Sequence, residues 1–224
     1  MQRYEWTKVA SNKIRMDTYT RYLWAGTYTK HKKILDYGCG TGFGSFIIAQ
    51  EAAEVLAYDQ SMETVAKAKK YHWSNLNYTD QRPDIKSSVD VVLCFHVLEQ
   101  FANPQDLISD IRKILTTDGI AIFSTPNKKV VSPYSKKPIG EFSQHEYFKK
   151  DIEKLFKDFE IQWFGQRNIP KPLTWYLIRR SIRLVEVLFR LKFDLYGARQ
   201  SYAVKPLTWW RQPKDFIFII KKKH

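Results

Sequence analysis

An α/β protein built on a mostly parallel sheet with helices on both faces is predicted by three features of the chain. Short runs of branched apolar residues recur with helix-patterned segments between them, a glycine-rich turn joins the first run to a helix, and an aspartate closes the second run. Parallel neighbours need crossover connections, and the helices that make them cover both sides of the sheet.

Lys33 to Tyr37 is a short strand that enters Gly38-Cys39-Gly40-Thr41-Gly42, after which Phe43 to Gln50 starts a helix. Val55 to Tyr58 forms a second strand ending at Asp59, and Ser61, Thr64 and the Ala/Lys run to Lys70 make its helix. Leu76 to Thr79 is a third strand, and Val89 to Phe95 a fourth, filled with branched apolar residues. Leu107, Ile108, Ile111, Ile114 and Leu115 follow the three-and-four spacing of a helix from Pro104, which Thr117-Asp118-Gly119 closes. Ile120 to Ser124 is the next strand, stopped by Pro126. Pro133, Ser135, Pro138 and Gly140 mark Lys128 to Glu141 as a long loop, and loops of that length are often functional. Ser143-Gln144-His145-Glu146 fits a capping box opening a helix to about Phe156. Phe159 to Phe164 and Phe216 to Ile220 read as the last strands.

Residues 1–224 read as a single domain, with a helical lead-in at 1–32 and an inserted basic amphipathic helix near 173–193. On that helix Arg179, Arg183, Glu186 and Arg190 share a face, while Trp175, Ile178, Ile182, Val185 and Phe189 cover much of the rest. Such a helix suits packing on the domain, a homodimer contact or an anionic membrane surface.

Thirty-seven Lys and Arg against 23 Asp and Glu give a formal charge of +14, compatible with nucleic acid, a membrane surface or anionic substrates. The surplus avoids residues 36–65, which hold Asp36, Glu51, Glu54, Asp59 and Glu63 and no Lys or Arg, and it returns beyond Lys171. Two cysteines make neither a disulfide framework nor a four-ligand zinc site, so no metal is expected and the chain reads as reduced and cytoplasmic. The charged start lacks the apolar centre of a secretion signal, and no uncharged run is long enough to span a bilayer. A peripheral place at a membrane surface stays open through the 173–193 helix.

A glycine turn between strand and helix lets backbone approach a ligand without side-chain clashes, and an acid at the end of the next strand can hold ribose hydroxyls. Gly38, Gly40 and Gly42 with Asp36 and Asp59 form that arrangement. Ile34 to Gly42 resembles the first motif of class I S-adenosylmethionine-dependent methyltransferases, and Asp59 matches their second-strand acid. The resemblance continues through Ser88 to Val92, Val97-Leu98-Glu99-Gln100, Leu115 to Phe123 and Ser124-Thr125-Pro126-Asn127, covering about residues 20 to 130. A narrower resemblance, to bacterial enzymes that tailor sugars, glycans and related small molecules, rests on Arg21-Tyr22-Leu23-Trp24-Ala25, Ser124 to Asn127, Glu141-Phe142-Ser143 and Gly165-Gln166. The chain departs from that branch in having Gln100 and Ile139-Gly140 where histidines are common.

The resemblance implies a Rossmann-like seven-stranded sheet with an antiparallel edge strand and S-adenosyl-L-methionine as cofactor. It implies that Asp36, Gly38, Cys39, Gly40 and Gly42 shape the methionine end, that Asp59 accepts the ribose hydroxyls, and that Gln60 and Met62 flank the adenine. Thr79 or Asp80 would meet the adenine amino group, and Phe95 would lie close to the methionine moiety. The chemistry is attack by an acceptor atom on the sulfonium methyl, for which alignment supplies much of the rate. For a hydroxyl acceptor, His96 is the first candidate base, since imidazole titrates near neutral pH, with Glu99 and Tyr22 as orienting groups. The reading is methyl transfer to a small-molecule acceptor, a hydroxyl of a sugar or biosynthetic intermediate. Its rivals are methylation of RNA or another anionic polymer, and a noncatalytic partner with a vestigial cofactor pocket. Ser124 to Asn127 lacks the Asp/Asn-Pro-Pro-aromatic motif of many amino-methylating nucleic-acid enzymes, which places nucleic acid behind small molecules.

Overall fold

The computed structural model describes residues 13–83, 88–138, 140, 142–170, 202–208 and 211–223. Residues 1–12 of the helical lead-in and the basic helix near 173–193 lie outside the described residues. In chain order the elements are α1 (Lys13–Thr29), β1 (Lys33–Tyr37), α2 (Phe43–Ala49), β2 (Glu54–Tyr58), α3 (Met62–Ala68), β3 (Leu76–Thr79) and β4 (Val89–Phe95). A single 3-10 turn, Leu98–Gln100, precedes α4 (Pro104–Ile114), β5 (Leu115–Pro126), α5 (Lys128–Val131), α6 (Lys149–Leu155), β6 (Phe159–Pro170), β7 (Lys205–Pro206) and β8 (Arg211–Lys222).

These strands form one sheet in the order β3-β2-β1-β4-β5-β8-β6-β7, eight strands rather than the seven expected. The additional strand is β7, two residues that pair antiparallel with Phe164 and Gly165 of β6 and form the antiparallel edge. The five strands from β3 to β5 run parallel, while β8 is threaded antiparallel between β5 and β6. Both β6 and β8 are longer than their apolar centres suggest, because their pairing extends past Gln166↔Asp215 to Pro170↔Arg211.

Alternation along each strand sends neighbouring residues to opposite faces. Leu35, Val92, Cys94, Phe123 and Phe218 join one apolar cluster with Leu107, Ile108 and Ile111 of α4 and Ile152 of α6. Ile34, Val91, Leu93, Ile122 and Ile217 join a second with Tyr22 and Ala25 of α1 and Phe46 and Ile48 of α2. On the first face Phe123 stacks on Phe218 with ring centroids 5.1 Å apart, and Phe156 meets both edge-on.

Three local expectations shift. β5 begins at Leu115, directly after α4: Val89 pairs with Leu115 and Val91 with Ile120, so Thr116 to Gly119 bulge from the ladder. Asn127 caps the short helix α5 inside the segment read as loop, its side chain accepting the Lys129 N–H at 3.1 Å. Ser143 to Glu146 open no helix, because the Gln144 and His145 N–H groups donate instead to the Glu99 carbonyl at 2.8 and 3.0 Å. The helix starts at Lys149, where Asp151 accepts the Phe148 N–H at 2.9 Å. No described helix is long and apolar enough to cross a membrane.

The parallel strands end together at one rim, and the order reverses direction between β1 and β4. Open α/β sheets bind ligands at such a switch point.

Candidate active site

The turn after β1 is pinned by β2: the Gly38 and Cys39 N–H groups both donate to the Tyr58 carbonyl at 2.8 Å. Gly38, Gly40 and Gly42 take φ of +80°, +55° and +78°, a region costly for residues with a Cβ. Their roles differ. A Cβ on Gly38 would stand 2.3 Å from Val97 Cγ2 and one on Gly42 2.7 Å from Ala68 Cβ, whereas one on Gly40 would meet nothing within 4 Å. Gly38 and Gly42 permit close packing, and Gly40 turns bare backbone toward open space.

The two aspartates occupy different depths. Asp36 is enclosed beneath the turn, where its carboxylate accepts from the Tyr22 hydroxyl at 3.0 and 3.1 Å and from Ser45 Oγ at 2.7 Å. Burial raises its pKa to about 6, against the lowering effect of the Ser45 and Tyr22 hydrogen bonds. Asp59 is half-buried at the open side: Oδ2 accepts the Gly40 N–H and Oδ1 the Ser61 N–H, each at 3.0 Å. The Asp59 N–H reaches the Thr79 carbonyl at 3.2 Å, which sets the ends of β2 and β3 side by side. Thr79 Oγ1 accepts the Gln81 N–H, Asp80 is half-buried just past β3, Gln60 is exposed, and Met62 is 73% exposed on the first turn of α3.

β4 ends in buried Phe95, and His96 then turns the chain with φ +57°. Its N–H donates to the Ser124 carbonyl at 3.0 Å and approaches Ser124 Oγ at 3.2 Å, anchoring it to β5. His96 Nδ1 lies 3.0 Å from Glu99 Oε1, and Nε2 lies 4.0 Å from Asp215 Oδ1. The imidazole side chain is 38% exposed, whereas those of Glu99 and Asp215 are only 4% and 7% exposed. An accessible ring therefore rests between two buried acids. Donation of Nδ1–H to Glu99 leaves Nε2 as the ring's acceptor.

Behind this ring Arg21 of α1 is fully buried. Its Nε and Nη2 donate to Gln166 Oε1 at 3.1 and 2.8 Å, Nη1 donates to Ser124 Oγ at 3.0 Å, and Nη2 lies 4.0 Å from Asp215 Oδ2. Burial lowers the guanidinium pKa, with Asp215 and Asp17 opposing. Gln166 Nε2 donates to the carbonyls of Asp17 and Tyr202, at 2.9 and 2.7 Å, and to Thr20 Oγ1 at 2.9 Å, tying β6 to α1.

Of the catalytic candidates, the structure brings His96 and Glu99 into contact and sets Tyr22 apart, its hydroxyl committed to Asp36. His145 Nε2 lies 2.9 Å from the Ala102 carbonyl. Cys39 and Cys94 are buried, and burial pushes both thiols up, away from thiolate chemistry. Arg21, Ser124, Gln166 and Asp215 were not singled out as site residues. The first three belong to motifs that carried the narrower resemblance, and here those motifs meet at one guanidinium. Asp215 has no motif around it.

A Rossmann-like sheet with a glycine turn after its first strand and a half-exposed acid after its second defines a class I S-adenosylmethionine-dependent methyltransferase. The chain belongs to the methyltransferase-domain family, whose model matches residues 28–167. A probable S-adenosylmethionine-dependent methyltransferase from Mycolicibacterium smegmatis is 29% identical over 136 residues, 58% of this chain and 53% of that protein. A ubiquinone biosynthesis O-methyltransferase from Actinobacillus pleuropneumoniae serotype 7 is 30% identical over 158 residues, 62% of this chain and 65% of that protein. The chain spans about half the length of the first of these relatives. The fold is shared with a TehB-like SAM-dependent methyltransferase from Corynebacterium glutamicum, at TM-score 0.60 and 15% identity over 97% of this chain and 94% of that one. The cofactor of this family, S-adenosylmethionine, fits the residues present: Gly40 turns bare backbone toward open space, with the Asp59 carboxylate beside it.

Proposed function

We propose that the protein transfers a methyl group from S-adenosylmethionine to a hydroxyl of a small molecule, a sugar or a biosynthetic intermediate. One observation carries the hydroxyl assignment: an accessible His96 ring with Nδ1 held by buried Glu99, at the end of the strand that neighbours the glycine turn. The O-methyltransferase relative from Actinobacillus pleuropneumoniae supports an oxygen acceptor.

When bound, S-adenosylmethionine supplies a methyl group on a cationic sulfur that leaves as a neutral thioether. Gly38, Cys39, Gly40 and Gly42 would present the turn to it, Asp36 would hold that turn from below, and Asp59 would accept the ribose hydroxyls, a charge-assisted and geometrically selective pairing. Gln60, Met62, Thr79 and Asp80 would border the adenine, and Phe95 the methionine end. Methylation of a hydroxyl releases a proton, and His96 accepts it at Nε2. Glu99 keeps the other ring proton on Nδ1, which leaves Nε2 as the accepting nitrogen. Ser124 anchors the backbone of His96, which limits how far the ring can drift from a reactive alignment.

The test is a transfer screen with methyl-labelled S-adenosylmethionine against nucleotide sugars, phenols, amines, lipids and RNA. Label appearing as a methyl ether on a small hydroxyl acceptor is the expected result. Robust transfer to RNA with none to small acceptors overturns the proposed acceptor class.

A further inference from the structure

We infer that Asp215 is a positioning residue for His96, a carboxylate carried in by β8 that faces the second ring nitrogen and balances the charge the ring acquires when it takes a proton. The inference rests on the methyl-transfer reading only for the purpose of that proton; the arrangement itself is independent of the acceptor.

Because β8 runs antiparallel between β5 and β6, its early residues arrive at the rim where β4 and β5 end. Asp215 stands in register with Pro126 on one side and Gln166 on the other. Its carboxylate divides its contacts, Oδ1 toward His96 Nε2 and Oδ2 toward Arg21 Nη2, each at 4.0 Å. A buried carboxylate is costly without a compensating charge, and Arg21 supplies one. Arg21 does so without a direct hydrogen bond, at 4.0 Å, while three of its N–H groups donate to Gln166 and Ser124. The Asp215 carboxylate is thereby anchored from behind with one oxygen still directed at the ring.

At 4.0 Å the contact between Nε2 and Oδ1 is electrostatic rather than a hydrogen bond. A neutral ring sets a lone pair opposite the carboxylate, and a protonated ring sets an N–H there, so Asp215 favours the ring that has accepted a proton. The charged groups facing His96 are Glu99 on its own segment, Asp215 from β8 and, behind Asp215, Arg21 from α1; β5 contributes the neutral Ser124 hydroxyl. Among the described residues buried Glu99 Oε2 has no hydrogen-bond partner, while Oε1 meets the ring.

Imidazole ¹⁵N spectra of the full chain, recorded across pH, test this. The chain has five histidines, and His96→Gln identifies the relevant signal. In Asp215→Asn the His96 ring should release its proton at a lower pH than in the parent, the direction set by removing an anion. S-adenosylmethionine affinity by calorimetry should stay within about threefold of the parent, since Asp215 lies on the acceptor side. With an acceptor from the screen, kcat should fall about tenfold at little change in KM, with the acid limb of the pH profile displaced. Superimposable ring titrations in parent and variant overturn the inference. Should the amide variant not fold, Asp215→Ser removes the same charge and carries the same two outcomes. Absence of S-adenosylmethionine binding by the parent would count against the methyltransferase activity instead, and the ring titrations would still decide the role of Asp215.

Discussion

The proposed cofactor side of the site draws mainly on one stretch of chain, Asp36 to Asp80, whereas the proposed acceptor side draws on α1, β4, β5, β6 and β8. On the first side the backbone does most of the shaping: a turn pinned by the Tyr58 carbonyl, an open Gly40, and an aspartate satisfied by two backbone N–H groups. On the second, buried charges from distant segments balance one another around His96 and Arg21. Recognition of a shared cofactor needs a recurring backbone shape, while handling an acceptor's proton needs compensated charge. α1 serves both through adjacent residues, Tyr22 reaching under the glycine turn to Asp36 and Arg21 reaching across to Asp215.

If the two sides are separable, substitutions should act on one and spare the other. The largest effect is expected from His96→Asn, which should slow transfer to a hydroxyl acceptor by about a hundredfold or more while leaving S-adenosylmethionine affinity unchanged. Single-turnover kinetics beside calorimetry reads both quantities, and a joint loss would break the division.

Asp36 sharpens the comparison through pH. Burial raises its folded-state pKa from 3.8 to about 6, so the folded chain binds the proton more tightly than the unfolded one. Stability therefore falls as pH rises through that window, and the full cost is present above about pH 7. Relative to Asp36→Asn, the parent should lose about 2 kcal/mol between pH 4 and pH 7 in urea unfolding. A pH-independent difference would show that the buried carboxylate is not the group responsible. The smallest effect is expected at Met62: its side chain is 73% exposed, so Met62→Ala should weaken S-adenosylmethionine binding by no more than about fivefold.

The same division explains what could be read from the chain. β1 to β4 and the glycine turn were legible because apolar runs and punctuating glycines are local signals. The proposed helix start at Ser143 failed because the Gln144 and His145 N–H groups found a tertiary acceptor, the Glu99 carbonyl. β7 is two residues long, too short for any periodicity, and exists because β6 offers it an edge. Asp215, between Lys214 and Phe216, reads as an ordinary polar residue near a strand's start. Only the insertion of β8 between β5 and β6 brings it to His96. Arg21, Ser124 and Gln166 stood in motifs whose meeting point no spacing rule discloses.

The most direct test of the central claim, that this rim binds S-adenosylmethionine through the turn and the acid after β2, is calorimetric titration of the full chain beside Asp59→Ala. The expected result is saturable binding by the parent and at least about a tenfold loss of affinity in the variant, the scale of one charge-assisted pairing. Equal affinity in the two proteins, or no binding by the parent, would contradict it.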